Sequence, residues 1–176
     1  MKNKTKTILI IFLFVSCCHT NLSAQELDDH LKILEPLLGK AWTGMLMAPD
    51  GSPGFNIERK FELAKSGKIV KCSKINIDRN KYGEGYFYWN DIEKKIAYFF
   101  IEEDGVFLKG FANTEENKIT IEGIMTWPKQ MNPNVKQQYE FKNTFEFNED
   151  GSMTDKWFMN AFGPWQPGHT IKFTSN

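Results

Sequence analysis

Hydrophobic and polar residues alternate along most of this chain. In residues 135–147, one set of alternate positions is mainly apolar and aromatic, while the intervening positions are polar or charged. A period of two residues is typical of a β-strand with one buried face and one solvated face. Similar runs recur and are separated by turn sequences such as Asp104-Gly105 and Asp150-Gly151. The pattern therefore predicts an antiparallel meander of short strands.

A helix is predicted before the strands. Leucines recur there at three- and four-residue spacing, at Leu27, Leu31, Leu34, Leu37 and Leu38. Pro36 is expected to break or kink this helix, and Gly39 to end it. The predicted strands cover residues 40–47, 55–64, 68–77, 86–89, 96–101, 106–112, 119–127, 135–147, 153–161 and 169–173. The segment 78–85 is polar and is predicted to be a loop.

Short strands at this spacing are typical of a β-sandwich or a β-barrel. A single leading helix followed by hairpins favours up-and-down closure, with the helix over one end of the barrel. We therefore predict an all-β fold, an up-and-down antiparallel β-barrel of about eight to ten strands with a short N-terminal capping helix.

The beginning of the chain is typical of a secretory signal. A lysine-rich start precedes the short apolar run 8–15, and Ser23-Ala24 offers a small-residue cleavage site. The apolar run is too short to span a bilayer, which needs about 20 residues. We predict a signal peptide in residues 1–24 and a single domain in residues 25–176.

This segment allows two predictions of the location of the protein. Cleavage after Ala24 predicts a secreted or periplasmic protein with no transmembrane span in the mature chain. In the alternative, Phe14-Val15-Ser16-Cys17 is a bacterial lipobox, and a lipid on Cys17 anchors the protein. The cleavage-site pattern favours the soluble product.

Charge and cysteine content limit the possible functions of the domain. Three of the 22 basic residues and no acidic residue lie in the predicted signal, which leaves 19 basic against 22 acidic residues. This balance argues against nucleic acid as a partner, because phosphate binding needs a basic face. Cleavage after Ala24 also leaves one cysteine, Cys72, which is expected to be buried.

Two stretches resemble known proteins. The residues 37–44, Leu-Leu-Gly-Lys-Ala-Trp-Thr-Gly, resemble the entry motif of the calycin superfamily, which includes lipocalins, fatty-acid-binding proteins and nitrobindin-like haem proteins. In those families a Gly and a Trp open the first strand and the Trp closes the barrel bottom, a role that the resemblance implies for Trp42. Residues 89–110 also resemble the middle hairpins of uncharacterised bacterial lipocalin-like domains.

Arg59 is the most unusual residue of the predicted apolar faces. By alternation it shares a face with Phe55, Ile57, Phe61 and Leu63. A buried guanidinium must be paired, because an isolated buried charge costs several kcal/mol. Arg59 is therefore expected either to bind a ligand carboxylate or to form an internal salt bridge, unless a bulge turns it to solvent. The internal salt bridge or the bulge is favoured over the ligand.

The predicted interior is aromatic with a few polar groups. The chain contains 15 Phe, 5 Tyr and 5 Trp, and most of them are expected to fill the core. A barrel of this strand number usually leaves room for a small ligand, and polar interruptions of an apolar face suit an amphipathic one. The candidate ligand-binding residues are Arg59, Trp42, Trp127, Gln137, Tyr139, Phe141, Asn143 and Trp157.

Other chemistry has weaker support in the sequence. His169 is a candidate haem ligand, because the resemblance includes barrels that use a His near the C-terminus, although a surface or hydrogen-bonded role is favoured. No cofactor, no metal site and no catalytic residues are otherwise predicted, since the spacings typical of such sites are missing.

We therefore predict an exported β-barrel protein that binds a small hydrophobic or amphipathic ligand in its interior. The first alternative is an enzyme, a hydrolase or isomerase, which requires two or more inward titratable groups within reach of each other. The second is a structural or protein-binding envelope module, which a solid barrel would favour.

Overall fold

The computed structural model describes residues 26–47, 51–128, 137–161 and 163–175. The predicted signal peptide, with Cys17, lies outside these residues, as does Val135. In the described part of the chain, no helix has the length and apolar character needed to cross a bilayer.

The chain begins with a 3₁₀ helix over Asp29–Leu37. Asp28 caps it, because its side-chain oxygen accepts a hydrogen bond from the backbone N–H of His30 at 3.0 Å. Leu31, Leu34 and Leu37 are fully buried. Their three-residue spacing matches the three residues per turn of a 3₁₀ helix, so one row of leucines covers the barrel end.

Ten antiparallel strands follow. They are β1 Ala41–Met47, β2 Pro53–Leu63, β3 Ile69–Asn76, β4 Lys81–Asn90, β5 Lys95–Glu102, β6 Phe107–Glu115, β7 Lys118–Thr126, β8 Gln138–Phe147, β9 Met153–Met159 and β10 Gln166–Ser175. Each strand pairs with the next, and β10 pairs with β1 to close the barrel. At this seam, Trp42 lies opposite Ser175 and Gly44 opposite Phe173. The predicted all-β, up-and-down barrel with a short N-terminal helix is confirmed.

The prediction of a loop over residues 78–85 is wrong for residues 81–85, which belong to a strand. Strand β4 begins at Lys81, and its glycines Gly83 and Gly85 are buried and paired with β5. A Cβ at Gly83 would lie 2.6 Å from the Phe100 ring, so this glycine makes room for an aromatic side chain on the neighbouring strand. Glycine weakens the strand pattern in the sequence, although close packing requires it here.

The two halves of the barrel interior differ in packing. The half beneath the helix is filled by large side chains with almost no exposure, among them Trp42, Phe61, Phe87, Phe145 and Phe173. The indole N–H of Trp42 donates to the backbone carbonyl of Leu37 at 3.1 Å, which ties the helix to β1. The polar and charged interior residues lie in the other half, towards the open end.

Candidate functional site

A cavity of about 280 Å³ occupies the open half of the barrel. Its lining comes from β2, β3 and every strand from β5 to β10, together with residues that adjoin β6 and β7. Aromatic and aliphatic side chains form most of its wall, and Arg59, Asn143 and His169 are among its polar members. A largely apolar cavity with a few convergent polar groups is typical of a ligand site.

Arg59 lies at the inner end of this cavity. The alternation of β2 places its side chain inside the barrel, where only 8% of the residue is exposed. Its Nη2 lies 2.9 Å from Oδ2 of Asp155, which is fully buried. Burial lowers the pKa of the Arg59 guanidinium, but Asp155, with smaller contributions from Tyr98 and Cys72, raises it, and the net pKa shift is upward.

The ion pair is close, but its hydrogen bonding is incomplete. Neither Nε of Arg59 nor Oδ2 of Asp155 has a hydrogen-bond partner of good geometry among the described residues. Asn143 donates its side-chain N–H to Oδ1 of Asp155 and to the backbone carbonyl of Lys156. Both carboxylate oxygens of Asp155 are therefore held by neighbouring side chains, while Arg59 keeps unused donor capacity.

Asp155 was not among the predicted site residues. It lies between Met153 and Trp157 on the inward positions of β9, so alternation could have identified it as an interior carboxylate. Its pairing with Arg59, however, joins strands that are distant in the sequence.

Tyr98 and Cys72 lie close to the ion pair and were also not predicted as site residues. Both are buried, and Tyr98 lines the cavity. Burial raises the pKa of the Tyr98 hydroxyl well above its usual value, and burial raises the pKa of the Cys72 thiol to about 12. Both groups are therefore protonated at neutral pH, and the thiol is unreactive.

A stack of parallel rings forms one wall. Trp157 lies between Phe141, at a centroid distance of 5.0 Å, and His169, at 6.1 Å. A Cβ at Gly168 would overlap the Trp157 ring, so this glycine lets β10 pass close to the indole. Burial lowers the pKa of His169, which keeps its imidazole neutral at pH 7. His169 also lines a second, mainly apolar cavity of about 530 Å³ at the barrel mouth.

Charged pairs surround the open end of the cavity. Lys74 and Glu102 form an ion pair, and Nζ of Lys81 lies 3.3 Å from Oδ2 of Asp104. Lys74, Glu102 and Asp104 line both the interior cavity and a smaller polar cavity of about 200 Å³ nearer the solvent. These pairs therefore separate the interior from the mouth.

Half of the eight candidate ligand-binding residues line the cavity, and the other half lie elsewhere in the barrel. The four that line the cavity are Arg59, Trp127, Asn143 and Trp157. Tyr139 and Phe141 lie behind the lining, where Tyr139 packs edge-on against Trp127 and Phe141 stacks on Trp157. Trp42 closes the opposite end of the barrel, and Gln137 precedes β8, with its backbone carbonyl accepting a hydrogen bond from Trp127.

The described residues contain no group of three or more His, Cys, Asp or Glu side chains that could hold a metal ion. The charged side chains that line the cavity are instead arranged as pairs of opposite sign.

Comparison with known proteins supports the fold. No family model and no curated protein matches the chain. A similar solved structure is that of Rv2717c from M. tuberculosis, with a TM-score of 0.56 and 16% sequence identity over 86% of this chain and 99% of that chain. At this identity the similarity concerns the fold alone. A closed ten-strand antiparallel barrel is consistent with the predicted calycin-like architecture.

Proposed function

We propose that this protein binds a small hydrophobic or amphipathic ligand in the interior cavity. The observation that carries the proposal is a cavity of about 280 Å³ that combines aromatic walls with a buried, incompletely bonded arginine. Small-molecule sites measure about 300–1,000 Å³, and an apolar cavity of about 150 Å³ binds benzene. The volume therefore suits a compact ligand.

The polar inner end supports an amphipathic ligand over a purely apolar one. A buried donor or acceptor without a partner costs about 1–3 kcal/mol. An acceptor group on a ligand would use the free donor capacity of Arg59, while Trp127 and Trp157 pack against its apolar part. Tyr139 and Phe141 would hold these two rings in place.

Binding is favoured over catalysis by the position of Asp155, the carboxylate that is paired with Arg59. Arg59 and Asp155 are inward titratable groups within contact distance, as an enzyme would require. Asp155, however, is fully buried and its two oxygens lie against Arg59 and Asn143. Asp155 is also absent from the cavity lining, whereas a general base must lie within hydrogen-bond reach of the proton that it abstracts.

We keep haem, bound through His169, as the alternative cofactor proposal. The interior cavity of about 280 Å³ favours a ligand smaller than a porphyrin, whereas the cavity of about 530 Å³ at the barrel mouth, which His169 also lines, is the larger space on the other side of this side chain. An absorption spectrum after incubation with haemin distinguishes the two, because a Soret band that His169→Phe abolishes would support haem.

The ligand proposal is tested by native mass spectrometry and thermal shift with a panel of small aromatic and aliphatic amphiphiles. A matched pair of variants locates the site: Leu108→Phe fills the cavity, whereas Ile101→Phe adds a ring to an exposed outer position. We expect Leu108→Phe to lose binding and Ile101→Phe to keep it. Failure of every compound to bind would contradict the proposal.

We further propose that residues 1–24 are an export signal and that residues 25–176 form the mature domain. The support is the lysine-rich start, the short apolar run and the cleavage site. Intact-mass analysis of the exported protein tests this. A mass that matches a chain beginning at Gln25 supports a secreted or periplasmic product. A mass that matches a chain beginning at a diacylated Cys17 supports the lipid anchor.

A further inference from the structure

We propose that the cavity ligand is a small, uncharged aromatic molecule with a carbonyl-type hydrogen-bond acceptor. The inference rests on the proposed function and specifies the class of molecule bound at that site.

The first argument is charge compensation. Each charged side chain that lines the cavity already has a partner of opposite sign: Arg59 with Asp155, Lys74 with Glu102, and Asp104 with Lys81. A charged ligand would bring an uncompensated charge into this interior, which is unfavourable at low dielectric. To bind an anion strongly, Arg59 would have to exchange Asp155 for the ligand.

The remaining titratable groups of the lining do not change this balance. Tyr98 carries a neutral hydroxyl, and His169 carries a neutral imidazole because burial lowers its pKa. Outside the lining, near Tyr98 and Arg59, the Cys72 thiol is also neutral, because burial raises its pKa to about 12. The interior near Arg59 therefore has no net charge for an ionic ligand to neutralise.

The second argument is the excess of donors at the inner end. A guanidinium has five N–H donors. Beyond its contact with Asp155, Arg59 has no hydrogen bond to another described residue, and its buried Nε has no partner. The Tyr98 hydroxyl also lines the cavity and can donate a hydrogen bond. A ligand carbonyl oxygen satisfies such donors without adding charge.

The third argument is the shape of the wall. The parallel stack of Phe141, Trp157 and His169 ends at the cavity, with interplanar angles of 7° and 8°. Phe100 and Trp127 add further rings to the lining. A planar aromatic ligand can stack or pack edge-on against these rings, which adds to the gain from apolar burial.

Four probes of nearly equal shape test the inference by isothermal titration calorimetry on the purified protein at pH 7. Benzamide is neutral with a carbonyl, benzoate is an anion, benzamidine is a cation, and ethylbenzene is neutral without an acceptor. We expect benzamide to bind at least tenfold more tightly than each of the other three.

The outcomes separate this inference from the function on which it rests. Equal binding of ethylbenzene and benzamide, or tighter binding of benzoate or benzamidine, would overturn the inference and leave interior ligand binding intact. No binding of benzamide would also overturn it, whereas the proposed function fails only if the whole amphiphile panel fails as well.

Variants of the ion pair provide a second, independent test. Asp155→Asn keeps the shape of the side chain and removes the compensating charge, so we expect the preference to invert to benzoate by at least tenfold. The double variant Arg59→Met, Asp155→Leu removes both charges and avoids an unpaired one. It should reduce the preference for benzamide over ethylbenzene, because the Tyr98 hydroxyl is then the remaining donor named above. An undiminished benzamide preference in the double variant would contradict the role of Arg59.

Discussion

At the scale of single residues, the Arg59–Asp155 pair determines the character of the interior. Two opposite charges meet at 2.9 Å in a region where both residues are almost completely buried. Removing one partner of such a pair leaves an uncompensated buried charge, whereas replacing both with apolar groups of similar size is often tolerated. The contribution of either residue to the stability of the fold therefore depends on the presence of the other.

This dependence predicts the effect of Arg59→Met on stability. The substitution strands the Asp155 carboxylate, and we expect the free energy of unfolding to fall by about 3–5 kcal/mol. The double variant with Asp155→Leu should recover most of that loss. Urea denaturation monitored by tryptophan fluorescence measures both values. Additive losses in the double variant would show that the two residues do not stabilise the fold as a pair.

The lowered pKa of His169 predicts that the free energy of unfolding depends on pH. Its pKa in the folded protein lies below the usual value of 6.5, chiefly because of burial. The unfolded chain therefore binds more protons than the folded protein as the pH falls through this range, so protonation favours unfolding. We expect the free energy of unfolding to decrease between pH 7 and pH 5, and part of that decrease to be lost in His169→Phe, which keeps a ring against Trp157.

The pKa of the His169 imidazole in the folded protein can also be measured directly. An NMR titration that gives His169 a pKa at or above 6.5 would contradict the prediction.

At the scale of elements, the strands are held by close contacts that only small residues permit. Strand β1 meets β10 at the closing seam, where Gly44 lies opposite Phe173. A Cβ at Gly44 would lie 2.6 Å from the carbonyl oxygen of Lys172 and 2.7 Å from the side chain of Ile171. Backbone atoms and a buried side chain cannot move away without opening the seam.

We therefore expect Gly44→Ala to destabilise the barrel by about 1–3 kcal/mol, in the range of overpacked cores. The matched control is Thr43→Ala, on the neighbouring position of the same strand, which faces outward and should cost less. Equilibrium denaturation of the two variants checks the difference. Equal effects would show that the seam tolerates the added methyl group.

At the scale of the whole molecule, the barrel has one packed half and one half with a cavity. The 3₁₀ helix, Trp42 and several phenylalanines fill the first half, and the charged pairs with the ring stack surround the second. The closed end is packed by the chain's own side chains. The open end carries the residues of the proposed ligand site.

The sequence predicted much of this architecture. Alternation with a period of two identified the barrel, and it placed Arg59 and Asn143 inside, because successive side chains of a strand point to opposite faces. It missed the beginning of β4, where Gly83 and Gly85 weaken the pattern. It also did not reveal that Asp155 is the partner of Arg59.

Alternation by itself determined which side chains point into the barrel, since this depends only on neighbouring residues of one strand. Only the tertiary structure decided how far along the barrel axis each one lies and what it meets across the interior. Trp42 and Trp157 share the same inward direction, but one fills the closed end and the other lines the cavity. The position of each side chain along the barrel axis is set by the register of the ten strands and by the pairing of β10 with β1. Both are properties of the whole barrel.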